Sequence, residues 1–227
     1  MFIGHYGPAF AAKAAVRTVP LWVLFVAAQW MDFLWSALII VGVEKMRLIV
    51  NFFGLSPLDL YYMPYSHGLP SAALLSLLIG GIVAALSNGY RVVVIAAVAA
   101  TSFSHWLLDF VVHRPDLPLV FDEMKVGLGL WQYPFISVPT EIGVMLLGLW
   151  IYDRAVPAPT RTGTIALWVL GFAMAALQVQ NTFFNEHPKS PEGFAQLSLF
   201  GYVTLASLAA VVDYLRKEKR PSLARGR

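Results

Sequence analysis

Asp32, His105, Asp109 and Glu141 lie inside apolar runs of the sequence. An ionisable side chain placed there costs roughly 2.5–3.5 kcal/mol inside a membrane and calls for a partner. His105 and Asp109 stand at i and i+4, so a helix presents the imidazole and the carboxylate on one face. At that spacing they either share one metal ion or form a hydrogen-bonded pair that fixes helix packing. His113 follows one turn later, then Arg114, Pro115 and Asp116. Asp32 carries Gln29 and Ser36 on its own helical face, at i−3 and i+4. His67 closes the run Tyr62-Met63-Pro64-Tyr65-Ser66-His67, and His5 stands near the start.

No Lys or Arg interrupts the runs that hold Asp32 and Glu141, so their partners are a shared ion, a proton or the histidines. A divalent ion on Asp32, His67, His105 and Asp109 would polarise an ester and acidify a bound water. Glu141 then acts as general base or completes the coordination shell. The chain has no cysteine, which excludes disulfides, iron–sulfur clusters and thiolate sites. Zn²⁺ suits mixed imidazole and carboxylate ligands, with Mn²⁺ and Fe²⁺ as alternatives. Each residue also has a plain alternative: His5 as a loose terminal residue, His67 as a helix-entry residue at the water interface. His187, in Asn185-Glu186-His187-Pro188, reads as solvated surface.

The elements that must carry these side chains are membrane helices. The 227 residues are 58% hydrophobic and 13% charged, with a mean hydropathy of +0.67. Soluble domains carry about a quarter charged residues. Apolar runs long enough to span a bilayer cover 20–43, 69–87, 91–112, 138–153, 163–183 and 195–215. The fourth begins near Leu130 if Pro134 and Pro139 are tolerated within it. The expected fold is an all-α bundle of about six transmembrane spans plus a short N-terminal helix over 9–18. It forms a single domain, 1–227: 1–155 carries the site, 156–215 adds two generic spans, and 216–227 is a basic tail. Leu21 to Val43 is too long for the apolar region of a signal peptide.

The short N-terminal helix either lies on the membrane surface or enters the bilayer and turns at Arg17–Pro20. The second arrangement sets His5 and Asp32 each about 18 Å from the turn, at one level. Lys and Arg placement puts the C-terminus in the cytoplasm, with eleven of the sixteen basic residues on that side. The net charge of +3 therefore has a topological use, and nucleic acid is not an expected partner. Anionic membrane lipid is. Tyr90, Trp131, Tyr133, Tyr152 and Tyr214 read as interfacial belts.

Gly4-His5, Asp32, Ser66-His67 and Ser104-His105-x-x-x-Asp109 together resemble the bacterial inner-membrane metal-dependent hydrolase family (YdjM-like). The chain is also similar to a group of small uncharacterised bacterial membrane proteins. Those share a Gly-His start, a PYSH segment, a stretch like Ser104-His105-Trp106-Leu107-Leu108-Asp109-Phe110, and His113-Arg114-Pro115-Asp116-Leu117-Pro118-Leu119. The resemblance covers about the first 150 residues. It implies one or two divalent ions on His5, Asp32, His67, His105 and Asp109, in a multi-pass protein of the bacterial cytoplasmic membrane. Two departures stand out: one acid, Asp32, where the family has a P-D-x-D pair, and Pro64-Tyr65-Ser66-His67 where it has H-R-G-x-T-H-S.

The leading expectation is a metal-dependent hydrolase acting on a membrane-associated or lipid-like ester or phosphoester. The first alternative is a non-catalytic accessory subunit of a membrane complex, with a protein partner and a structural polar or metal site. The second is an ion- or proton-coupled carrier.

Overall fold

A computed structural model describes residues 1–87, 90–184 and 188–217. His187 and the basic tail beyond Lys217 lie outside the described residues. The apolar runs fold into helices: α1 Tyr6–Ala15, α2 Leu21–Ala28, α3 Trp30–Ile40, the single turn α4 Pro64–His67, α5 Leu69–Leu86, α6 Arg91–Val112, α7 Pro134–Ala155, α8 Arg161–Phe183 and α9 Pro191–Arg216. Among the described residues, α5 to α9 are each long and apolar enough to cross a membrane, and α2 with α3 makes a sixth candidate. The long helices start where local chemistry permits. Thr160 and Ser190 accept the amides of Gly163 and Gly193 at 3.2 and 3.1 Å, capping α8 and α9. Pro134 and Pro191 occupy first-turn positions, where no amide donor is required.

Two features depart from the expected bundle. The run 20–43 is broken at Gln29, and α2 meets α3 at 54°. Neither Pro nor Gly lies at the break, and the buried Gln29 amide donates to Phe2 O at 3.3 Å instead. The fold is also not purely helical. Strands β1 Lys45–Phe53 and β2 Ser56–Tyr62 form an antiparallel hairpin that pairs Arg47 with Asp59 and Leu48 with Leu58. Gly54 turns it at a φ of +64° and lies so close to the Trp131 carbonyl that a side chain would clash.

Helix α1 is buried in the bundle, with Ile3 and Tyr6 ahead of Ala9 and Phe10, all inaccessible to solvent. Of the two sequence readings, the arrangement matches the one in which this helix folds back as a hairpin among the other helices and brings His5 to the cluster. Gly7 and Gly148 let α1 and α7 approach backbone to backbone; a Cβ on Gly148 would collide with the Gly7 carbonyl. Small residues at such a crossing gain dispersion contacts where apolar burial alone gives no net drive between helices in lipid. Below it, Phe10, Phe25, Met145 and Tyr152 fill a core with residues of α2, α6, α8 and α9. Tyr152 is thus buried and not part of an interfacial belt, and the Arg216 guanidinium lies 4.7 Å from its ring centroid. A second core, with Met31, Trp35, Met63 and Trp106, lies toward the end of the bundle that carries the hairpin.

The turn between α1 and α2 is tied by charge. Lys13 Nζ donates to Arg17 O at 3.0 Å and Val19 O at 2.6 Å and lies 3.5 Å from Asp213 of α9. Asp213 also accepts the Leu21 amide. These bonds satisfy backbone groups that would otherwise be orphaned at the start of α2.

Candidate metal site

Every ionisable residue singled out within the membrane runs comes to one place. Asp32 is supplied by α3, His67 by α4, and His105 and Asp109 by α6; His5 ends the short 3₁₀ turn Ile3–His5 that precedes α1. Imidazole nitrogens Nε2 of His67 and His105 lie 3.4 and 3.5 Å from Asp32 Oδ1, and 3.6 and 3.1 Å from Asp109 Oδ2. On the other oxygen of Asp109, Oδ1, converge His5 Nε2 at 3.1 Å and His113 Nε2 at 3.7 Å. The Met1 amino group contacts the same oxygen. The two carboxylate oxygens of Asp109 thus face two different pairs of imidazoles.

What lies behind the rings matters as much. His105 Nδ1 is 2.8 Å from Ala28 O, exposed as an acceptor where α2 ends. His67 Nδ1 is 2.7 Å from the Ser66 hydroxyl, which donates to Glu44 at 2.5 Å. His113 Nδ1 is 2.9 Å from Asp116, itself held by Arg114 Nε at 3.2 Å. A metal-binding histidine normally has its second nitrogen fixed in this way. Ser66 and Asp116 therefore orient rings rather than face the cluster. Glu44 is a functional neighbour that sequence spacing did not single out: it is buried and also accepts the amides of Tyr65 and Ser66 at 2.8 and 2.9 Å.

The donor set fits a divalent ion. Two triads among the described residues, His5–His105–Asp109 and Asp32–His67–His105, each offer ligand atoms within 4.8 Å of one another. Ligands about 2.0–2.1 Å from a tetrahedral Zn²⁺ sit about 3.4 Å apart, and the four His–Asp distances around Asp32 Oδ1 and Asp109 Oδ2 run from 3.1 to 3.6 Å. His5 Nδ1 is buried without a hydrogen-bond partner among the described residues, while Nε2 of His5 and of His105 each lie 3.1 Å from an Asp109 oxygen without hydrogen-bond geometry. Orphaned donors or acceptors of this kind are expensive unless something else engages them. His105 belongs to both triads but has a single free nitrogen, so one ion at most uses it.

Gln29 and Ser36 are buried, but neither contacts the cluster's ligand atoms: Gln29 donates to Phe2 O, and Ser36 Oγ has no hydrogen-bond partner among the described residues. Glu141 of α7 accepts the Phe2 amide at 2.8 Å and Trp131 Nε1 at 3.2 Å. It lines a cavity of about 580 Å³ that also touches Asp32, His67, Asp109 and His113. The rest of that cavity is the unexpected part. Its walls come from α8 and α9, among them Leu170, Met174, Leu177, Leu197 and Leu205, with the hairpin tip Leu55–Leu58 closing one end. The last two spans are therefore not generic. From α9, Tyr202 donates its hydroxyl to Asp32 Oδ2 at 3.0 Å.

No family model, curated protein or solved structure matches this chain.

Proposed function

We propose that this protein is a membrane-embedded metal-dependent hydrolase of a lipid-like or membrane-associated ester or phosphoester. One observation carries the reading. Three imidazoles, each locked through Nδ1, aim Nε2 at Asp32 and Asp109 where a mostly apolar cavity ends in carboxylates. His67, His105, Asp32 and Asp109 would hold the ion. A bound divalent ion supplies Lewis acidity toward an ester oxygen and lowers the pKa of a water on it.

The chain's own groups do the rest. Tyr202 keeps Asp32 turned toward the histidines, and the Glu44–Ser66 pair fixes the ring of His67. Glu141, with both oxygens hydrogen-bonded and facing the cavity, takes the proton of the attacking water. The apolar walls keep bulk water from the reacting bond, so charges at the cluster act through a low local dielectric. A carrier would need a route to the opposite end of the bundle. Beneath the cluster that space is filled by Tyr6, Phe10, Phe25 and Met145.

We infer a multi-pass location in a bacterial cytoplasmic membrane with the C-terminus inside. Support comes from Lys13, Arg17, Arg91, Arg154 and Arg161, which gather at the end of the helices away from the site. The test is elemental analysis of protein purified in detergent without chelator, wild type beside His105→Ala, followed by a screen of acyl-ester and phosphoester lipids. A stoichiometric divalent metal, lost in the variant, and turnover of one lipid class are expected. A metal-free wild type would overturn the proposal.

A further inference from the structure

The cavity has a direction relative to the bilayer, and that direction specifies a substrate. Its polar end lies at Asp109 and Glu141, about 27 Å from the start of α6 and about 21 Å from the end of α7. Its apolar end lies at Leu170 and Leu208, about 12–14 Å from the start of α8 and the end of α9, which are on the same side of the bundle as the start of α6 and the end of α7. Across a hydrocarbon layer about 30 Å thick, the cluster therefore occupies one half of the bilayer, from about 18 Å at Asp32 to about 27 Å at Asp109 above those helix ends, and the apolar pocket descends to the midplane. A lipid of that leaflet has the same polarity: head and ester at the interface, chain pointing inward.

The side wall is continuous with the lipid-facing surface. Leu177, Leu197, Phe200 and Leu208 line the cavity and are also 39–70% exposed on the outside of the bundle. Between them Gly201 has, apart from its own helix backbone and its chain neighbours, no atom within 4 Å of where a side chain would begin. Leu170, Met174 and Leu205 line the same cavity from inside, at 5%, 0% and 4% exposure. Among the described residues no Lys or Arg lines it, so nothing in the walls selects an anionic head apart from the cluster itself.

We propose that one acyl chain of a membrane lipid enters sideways between α8 and α9 past Gly201, lies along Leu170–Met174 and Leu205, and presents its ester to the cluster. This deepens the hydrolase reading and rests on it for the chemistry, but not for the binding. The probe is a phosphatidylethanolamine with a mid-chain diazirine on one acyl chain. The protein sits in nanodiscs of phosphatidylethanolamine and phosphatidylglycerol, and labelled residues are mapped by mass spectrometry.

Label on Leu170, Met174 and Leu205 is expected, since annular lipid cannot reach these buried side chains. Gly201→Trp should lose most of that inner label while outward-facing Phe172 and Val203 keep theirs. Label confined to Phe172, Val203 and other outward residues would overturn the chain site, as would inner label that survives Gly201→Trp. The same mapping in His105→Ala should give the wild-type pattern. Because the readout needs no bound ion, absence of metal removes the hydrolase reading and leaves the chain site standing. Outward-only label with metal present does the reverse.

Discussion

The rings of His5 and His105 stack with centroids 3.6 Å apart and planes 6° from parallel. The contact joins the first residues of the chain to the middle of α6, a hundred positions away. It exists because α1 is only ten residues long and is inserted between longer helices rather than laid on a surface. The turn at its far end is held by Lys13 and Asp213 and its flank by the Gly7–Gly148 crossing. The position of His5 is thus set by contacts remote from the cluster.

Gly148→Leu should accordingly push α1 off α7. Overpacking at a tight contact typically costs about 1–3 kcal/mol, and the shift should carry His5 away from His105. The expected result is a lower thermal midpoint in detergent together with weaker metal retention. A variant with wild-type stability and metal content would show that the crossing is not as close as described.

Asp109→Asn should abolish metal binding, since both oxygens of this carboxylate face imidazoles and an amide offers one weak ligand in their place. The variant keeps the volume of the side chain, so far-ultraviolet circular dichroism should match the wild type. Unchanged metal content would remove Asp109 from the ligand set.

Ser66→Ala and Glu44→Gln should weaken binding without touching a ligand. Loss of groups that orient ligating histidines typically costs about 10–100-fold in metal affinity, measurable by competition with a chelator of known affinity. Ser66→Ala should have the larger effect, because it breaks the bond to His67 Nδ1 itself. Equal affinities for wild type and both variants would sink the relay.

Part of this was legible in the residue spacing. His105 and Asp109 had to share a helix face, and counting residues from the Arg17–Pro20 turn set His5 level with Asp32. The helices α5 to α9 follow the apolar runs closely, because length and hydropathy alone decide whether a segment can span. The break at Gln29 was not legible. The run holds no helix breaker, and the polar contacts at the break are tertiary: Ala28 O meets His105 Nδ1 and the Gln29 side chain donates to Phe2 O. The β-hairpin left a fainter signal, the alternation Lys45-Met46-Arg47-Leu48 ahead of Gly54. Glu44 and Tyr202 reach the site across 22 and 170 residues, to Ser66 and Asp32 respectively, where no local period exists to read. The cavity is a property of how α8 and α9 pack, so spans that read as featureless became its walls.

Lys13→Met should be the most destabilising of the single changes at the opposite end. It strands Asp213 in a nearly buried position, and removing one partner of a buried pair costs about 3–5 kcal/mol. Lys13→Met with Asp213→Leu should recover part of the loss, leaving the Leu21 amide and the carbonyls of Arg17 and Val19 as the residual cost. Thermal unfolding of the two variants and the wild type checks the order. A double variant less stable than Lys13→Met would mean that Asp213 matters more for the Leu21 amide than for Lys13.

Glu141→Gln separates holding a metal from using it. Both oxygens of Glu141 are acceptors, from the Phe2 amide and Trp131 Nε1, and glutamine can keep one of those bonds while losing the ability to take a proton. If Glu141 is the base, metal content should be unchanged, lipid hydrolysis should fall by about 10²–10⁴-fold, and substrate affinity should hold. If it completes the coordination shell, metal retention should fall along with activity. Full hydrolysis by the glutamine variant would exclude both roles, and the proton acceptor would then be sought among Asp32 and His113, which line the same cavity.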